Sequence, residues 1–424
     1  METLLQEARQ RDRDDPLKSF RDRYWIPRHE NGQQAYFCGH SLGLQPRSAE
    51  ADILAEMEAW RELGVAGHFQ GDPPWLSYSE QLKPVLGNLL GAKPEEIAVM
   101  NTLTVNLHLM LASFFRPEGR RRKILIEKSA FPSDRYAVVS QLRWHGLEPD
   151  ECLVEAGNGD GATVEESAVE SLLERHAGEI ALLLWPGVQY ISGQAFDIAQ
   201  LSAAARSAGA VAGFDLAHAA GNLPLDLHGS GADFAAWCHY KYLNAGPGAI
   251  AGCFVHERHH GSDMQRLEGW WGNDVHTRFR MAPEFSAAPG AEAWQLSTPP
   301  LLSIAPLKAA LESFQEAGIE RLRTKSVALT GWLQSQIELE LGRVLEIVTP
   351  ADPQRRGCQL SLRVRDGRES GRSLFGFLEQ QGVVCDWREP DIIRVAPVPM
   401  YNRYEDVYRF INAARTWAQR AGAA

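Results

Sequence analysis

Cysteines are few and poorly placed for joint work: Cys38, Cys152, Cys238, Cys253, Cys358 and Cys385 are scattered without a CxxC pair. That spacing points to neither a zinc ribbon nor a disulfide framework. The amino end, METLLQEARQRDRDDPLKSF, has no apolar signal segment, and no later run is long and apolar enough to cross a membrane. The cytosol is therefore the expected compartment. Positive charge is in deficit, with 43 Lys and Arg against 54 Asp and Glu and a net charge of -11. That balance argues against nonspecific affinity for nucleic acid. There is no GxGxxG after the first strand and no P-loop lysine motif, which counts against a nucleotide site. Internal repeats, low-complexity tracts and long linkers are also missing.

What is present is an ordinary folded composition, 44% hydrophobic and 23% charged, in 424 residues. A chain of that length buries a large core and divides into at least two structural units. Strand and helix patterns alternate from about Glu96 to Asp215, which predicts a predominantly parallel sheet covered on both faces. After a long predicted helix from Ile319 to Glu340, short strands and two helical stretches predict a smaller α+β unit. The expected divisions are an amino-terminal segment over 1–50, a large unit over 51–310 and a small one over 311–424.

The stretch most informative about chemistry is VAGFDLAHAAGNLPLDLHGSGADFAAWCHYKYLNAGPG, from Val211 to Gly248. It reads as a strand ending in Asp215, a loop, a second apolar strand, and then Tyr240 and Lys241 at a turn rich in Gly and Asn. Polar groups at the tips of buried strands must be paired or remain costly. A lysine amine and a strand-terminal carboxylate are what pyridoxal phosphate (PLP) needs, one for its aldehyde and one for its ring nitrogen. His218 could support the carboxylate or simply pack.

Other segments carry bland and functional readings side by side. Ser41 lies in the sharp loop YFCGHSLGL, whose glycines permit close backbone approach. His68 and Trp75 flank a glycine-rich loop that could line a planar pocket or form core and rim. Leu103 and Thr104 open a helix, where free backbone N–H groups could hold a phosphate or need only an ordinary cap. Phe131 could cover a ring or pack in the core, and Asp134 could hold a polar substituent or cap a helix. Trp270 and Thr298 lie in an irregular, aromatic-rich region that suits recognition or crossover packing. Arg394 could grip a carboxylate with two parallel hydrogen bonds or form a surface ion pair. The short cluster His256, Glu257, His259 and His260 reads as a solvated loop, so no metal is expected.

Taken together these words resemble the kynureninases, a branch of the fold-type-I aminotransferase superfamily. The resemblance runs from about Phe37 to Val407 and is strongest in MNTLTVNLHLML, KSAFPSDRYA, DLAHAAGN…HYKYLNAGPG and EGWWGNDVHTRFRM. It departs from the family pattern at His40, Trp271 and Asn273. It implies an α/β fold of PLP fold type I, with a mostly parallel seven-stranded sheet flanked by helices plus a smaller α+β domain. It implies PLP as cofactor and L-kynurenine as substrate, with 3-hydroxykynurenine open as a second. The implied reaction hydrolyses the β,γ carbon–carbon bond to give anthranilate and L-alanine, within the kynurenine route of tryptophan breakdown.

By the same resemblance Lys241, Tyr240 and Asp215 are catalytic. Leu103, Thr104, Phe131, Asp134, Asp215, His218, Tyr240, Lys241, Trp270 and Thr298 contact the cofactor. Ser41, His68, Trp75, Trp270, Thr298 and Arg394 serve the substrate, with Trp270 and Thr298 reaching the site across a homodimer interface. The competing readings are a cysteine desulfurase or selenocysteine lyase-like enzyme, which needs a reactive cysteine such as Cys358 or Cys385, and a non-catalytic interaction protein.

Overall fold

The computed structural model describes residues 1–30, 32–157 and 163–422. Its centre is a seven-stranded sheet: β1 (Ile97–Val99), β2 (Lys123–Glu127), β3 (Leu153–Ala156), β4 (Ile180–Pro186), β5 (Val211–Asp215), β6 (Phe234–Cys238) and β7 (Ala251–Val255). The spatial order is β1-β7-β6-β5-β4-β2-β3. Only β7 runs antiparallel to its neighbours. The mostly parallel seven-stranded sheet expected from the sequence is thus present.

Continuous apolar runs such as IALLLW in β4 are buried throughout, because helices cover both faces of the sheet. One of them, Ile198–Ser207, starts where the Asp197 side chain accepts from Gln200 N at 2.9 Å, an N-cap that satisfies one of the orphan donors. It stops at Gly209, which sits at φ +74° where a side chain would be strained. The irregular, aromatic-rich region that carries Trp270 is preceded by a regular element. Ala251–Val255 is the antiparallel strand β7, wholly buried between β1 and β6, and sequence periodicity cannot separate so short a buried strand from a loop.

The smaller domain carries an antiparallel sheet ordered β8-β9-β11-β10, from β8 (Leu345–Ile347), β9 (Leu360–Val364), β10 (Asp386–Arg388) and β11 (Ile392–Val395). The helices Arg368–Gln380 and Tyr404–Arg420 flank it. The amino-terminal helix Glu2–Asp14 packs on Tyr404–Arg420, and Asp12 accepts from Tyr404 N and Glu405 N at 2.7 and 3.0 Å. Ala35–Tyr36 then pairs in parallel with Val383–Val384. That pairing delivers the next residues, Cys38 to Gly43, to the carboxyl ends of the large sheet's strands.

Those ends matter because the connections diverge there. From β2 the chain passes outward to β3, then returns to the other side of β2 as β4 and continues through β5 and β6. In open α/β sheets a crevice opens outside the strand ends at such a reversal.

Candidate active site

A cavity of about 160 Å³ occupies that crevice. Strand ends supply Glu127, Pro186 and Asp215, while Tyr240 and Lys241 follow β6. Leu103, Thr104, Phe131, Asp134 and His218 complete the set that the sequence placed here, and all eight predicted cofactor residues other than Trp270 and Thr298 line this one space. Lys241 Nζ lies 5.9 Å from the centroids of both Phe131 and Tyr240. The Phe131 ring is held edge-on by Tyr190 at 5.2 Å.

Two helices begin at the cavity, Leu103–Phe114 and Pro132–Trp144. Thr104 Oγ1 and Ser133 Oγ, one from each first turn, are 2.8 Å apart. The first-turn N–H groups of Leu103–Phe114, the Ser133 N–H and two hydroxyls therefore converge on one wall, an arrangement suited to a phosphate; Pro132 has no N–H and Asp134 N donates to Phe131 O at 2.9 Å. Ser133 was not singled out from sequence; its position after Pro132 at the helix start was the available signal.

The floor is acidic. Asp215 Oδ1 accepts from Ala217 N at 2.7 Å. Burial, the neighbouring Asp215 charge and a hydrogen bond to Asp215 push the Asp134 carboxyl well above the usual carboxylate range. Glu127, also unrecognised in the sequence, is fully buried with neither oxygen in a hydrogen bond. Burial raises its carboxyl to about 7. His218 is held neutral, its value pressed well below 6.5 by burial and then by Lys241 and Arg394.

The entrance loop docks on the lysine turn. Gly43 N donates to Tyr240 O at 2.8 Å, and a Cβ at Gly43 would lie 2.3 Å from Lys241 O, so only glycine fits. His40, where the family word carries Asn, is fully buried with both ring nitrogens unpartnered. Ser41 and Arg394 meet just outside the lining, with Arg394 Nη2 donating to Ser41 Oγ at 3.0 Å. Arg394 Nη1 donates to the carbonyl of the wall residue Tyr190 at 2.8 Å.

The remaining predicted residues lie elsewhere on the single chain. His68 and Trp75 pack edge-on at 5.3 Å, and Trp75 Nε1 donates to Glu56 at 2.9 Å. Trp270 is 42% exposed, with its Nε1 donating to Arg278 O at 3.1 Å, and Thr298 is exposed. Among the described residues, Glu96, His228 and His256 form one group of metal-ligand type. Glu96 already accepts from Lys93 N, Glu257 N and His228 Nδ1, so its carboxylate is satisfied by protein donors alone. His259 bonds Asp233 at 2.7 Å and His260 donates to Val255 O at 3.0 Å.

The sheet, the small domain and a lysine facing an aspartate across a strand-end cavity define the fold-type-I class of PLP enzymes. The architecture is similar to that of a cystine C–S lyase, C-DES, in complex with cysteine persulfide, at TM-score 0.76 and 20% identity over 90% of this chain and 97% of that one. It is also similar to a cysteine desulfurase from Thermococcus onnurineus NA1, at TM-score 0.75 and 16% identity over 91% and 95% of the two chains. At such identities the likeness concerns the fold. A family model for the kynureninase C-terminal domain matches residues 322–413. The kynureninase of Stenotrophomonas maltophilia (strain K279a) is 55% identical over 406 residues, covering 95% of this chain and 96% of that protein. That of Xanthomonas campestris pv. campestris (strain B100) is 54% identical with the same coverage. The chain belongs to the kynureninase family.

Proposed function

We propose that the protein is a PLP-dependent kynureninase, hydrolysing L-kynurenine to anthranilate and L-alanine. The observation that carries this is the meeting of Lys241, Phe131 and the Asp134–Asp215 pair in one cavity of a chain with that family's sequence over 95% of its length. The donor set fits the cofactor: an amine, a ring face, an unpartnered buried Asp134 oxygen, and two helix starts joined by hydroxyls.

In this reading Lys241 Nζ holds the cofactor aldehyde and later takes the proton from the substrate Cα. Asp215 keeps a proton at the ring nitrogen, with Asp134 beside it. Phe131 covers the ring. Leu103 and Thr104, together with Ser133 and the Tyr240 hydroxyl, hold the phosphate. His218 packs neutral at the edge. Bound PLP supplies an electron sink that makes the substrate Cβ–Cγ bond breakable. Water adds its oxygen to the γ-carbonyl carbon, that bond breaks, anthranilate leaves, and the protonated remainder is L-alanine. Arg394, with Ser41 beside it, receives the α-carboxylate.

Trp270 and Thr298 of one protomer complete the site of its partner in a homodimer, and His68 and Trp75 serve the aromatic end of the substrate. Exposed Leu54, Met57, Trp60, Val65 and Phe69 support burial of this face by a second copy. We place the unit boundaries near residues 50 and 310. No helix among the described residues is long and apolar enough to cross a membrane, which supports the cytosol as compartment.

The desulfurase reading is disfavoured by its own nucleophiles. Cys358 and Cys385 are buried, and burial pushes the Cys358 thiol up to about 12 and Cys385 well above its ordinary value, leaving thiols where thiolates are needed. The test is anthranilate and L-alanine release from L-kynurenine by PLP-reconstituted protein. Equimolar products are expected, with borohydride fixing the cofactor on Lys241 and Asp215→Ala reducing turnover by about 100-fold at full PLP content. No anthranilate, or an adduct on another residue, overturns the proposal.

A further inference from the structure

Arg394 is not a free hand waiting for a carboxylate. Its side chain is 1% exposed and already faces Asp386, with Nη2 at 2.8 Å from Oδ2 and Nε donating to Oδ1 at 3.3 Å. The pairing is built into the small sheet, because Asp386 of β10 and Arg394 of β11 are direct cross-strand partners. These contacts occupy one edge of the guanidinium, the Nε and Nη2 side. The other edge, Nη1 and Nη2, points to Tyr190 O at 2.8 Å and Ser41 Oγ at 3.0 Å. Ser41 Oγ donates in turn to Asp386 Oδ2 at 2.5 Å.

The charges do not cancel. Arg388 reaches the same carboxylate, its Nη2 donating to Oδ2 at 3.2 Å, so two guanidiniums share one anion. His40, 3.9 Å from Asp386, adds no charge, since burial and then Arg394, Arg388 and Lys241 hold it neutral. One positive charge is left beside the cavity wall, the complement of one further carboxylate.

We propose that Asp386 is a positioning residue for substrate. By fixing the Nε and Nη2 edge of Arg394 it presents the Nη1 and Nη2 edge to the α-carboxylate, where Tyr190 O and Ser41 Oγ hold the places of the two carboxylate oxygens until substrate displaces them. This rests on the assignment of Arg394 to the α-carboxylate made above. The opposite role would be competition, in which Asp386 simply neutralises Arg394 and weakens substrate binding. The two differ in sign when the charge is removed. An amide at position 386 leaves more net positive charge for an incoming anion, yet it turns one acceptor into a donor facing Arg394 and releases the guanidinium plane.

The experiment is titration of the holoenzyme with L-alanine, followed by the cofactor's absorption, in the parent, Asp386→Asn, Arg394→Gln and the double variant. Asp386→Asn is expected to weaken L-alanine binding about tenfold and to raise KM for L-kynurenine with little change in kcat. It should leave inhibition by 2-aminoacetophenone, which lacks the α-carboxylate, unaltered. In the Arg394→Gln background the same change should have no further effect. Tighter or unchanged L-alanine binding in Asp386→Asn overturns the proposal, as does equal weakening in both backgrounds. If Asp386→Asn fails to load cofactor, Asp386→Glu is titrated instead; it keeps the charge but shifts the carboxylate, so weaker L-alanine binding is expected and parent-like affinity overturns the proposal. Full L-alanine affinity in Arg394→Gln removes the α-carboxylate assignment itself, and this inference with it.

Discussion

Thr104 Oγ1 and Ser133 Oγ meet at 2.8 Å, tying together the first turns of two helices that follow β1 and β2, strands far apart in the same sheet. Thr102 and Phe131 hold the N-cap positions of the two helices, so neither hydroxyl is a cap. Both are turned into the cavity instead, where the two helix starts give an anion more N–H donors than one helix could.

A first prediction concerns that wall. Removing one hydroxyl deletes a hydrogen bond to a charged group, a change of about 1.5 kcal/mol or more. Ser133→Ala should therefore bind PLP about tenfold more weakly, as measured by fluorescence quenching of the apoprotein. The double variant with Thr104→Ala should be weaker again. Unchanged affinity in the double variant would assign the phosphate to another part of the chain.

The second prediction follows from Glu127. Its ordinary value of 4.5 is raised by burial to about 7. Below 4.5 the folded and unfolded chains both carry the proton, so the group costs nothing. Between 4.5 and 7 the unfolded chain releases it while the folded chain keeps it, and stability falls as pH rises. Above that window the penalty levels off at about 3 kcal/mol. Glu127→Gln keeps the shape without the titration. The variant holoenzyme should unfold at a higher temperature than the parent at pH 8, with the gap closing toward pH 4.5. Parallel melting curves across that range would contradict the assignment.

Much of this site could be read from the chain because the fold places it at strand ends, where a polar residue breaks an apolar run visibly. Asp215 ends VAGFD, and Tyr240 with Lys241 follows FAAWC after one residue, His239. Glu127 also ends an apolar run but carries no local sign of burial, since burial depends on what the neighbouring strands and loops cover. Asp386 was invisible for a different reason. Its tie to Arg394 is a cross-strand register, set by how β10 and β11 turn back on each other, and no local periodicity encodes it. Trp270 and Thr298 belong to a third kind: on the single chain they lie outside the cavity lining, and only the dimer proposed above would bring them to it. Strand β7 was missed because five buried residues flanked by loops carry no alternation to recognise.

The third prediction concerns the aromatic end of the substrate, which the proposed dimer gives to the loop carrying Trp270; that loop holds Asn273 where the resemblance gives His. The side chain does not point outward for a ligand. Asn273 is buried, and its Oδ1 accepts from Asp274 N at 3.1 Å and from Ser286 N at 3.0 Å, fixing the loop that carries Trp270. A ring hydroxyl on the substrate then gains no acceptor from this position, yet must still give up its water, and burying a hydroxyl without a partner is unfavourable. The protein should therefore prefer L-kynurenine over 3-hydroxykynurenine by at least about tenfold in kcat/KM, or about 1.4 kcal/mol. Asn273→His should disturb the loop before it improves the hydroxylated substrate, lowering kcat/KM for both. Parity between the two substrates in the parent would mean that another group in the pocket accepts the hydroxyl proton, and a scan of the pocket for variants that lose only 3-hydroxykynurenine would find it.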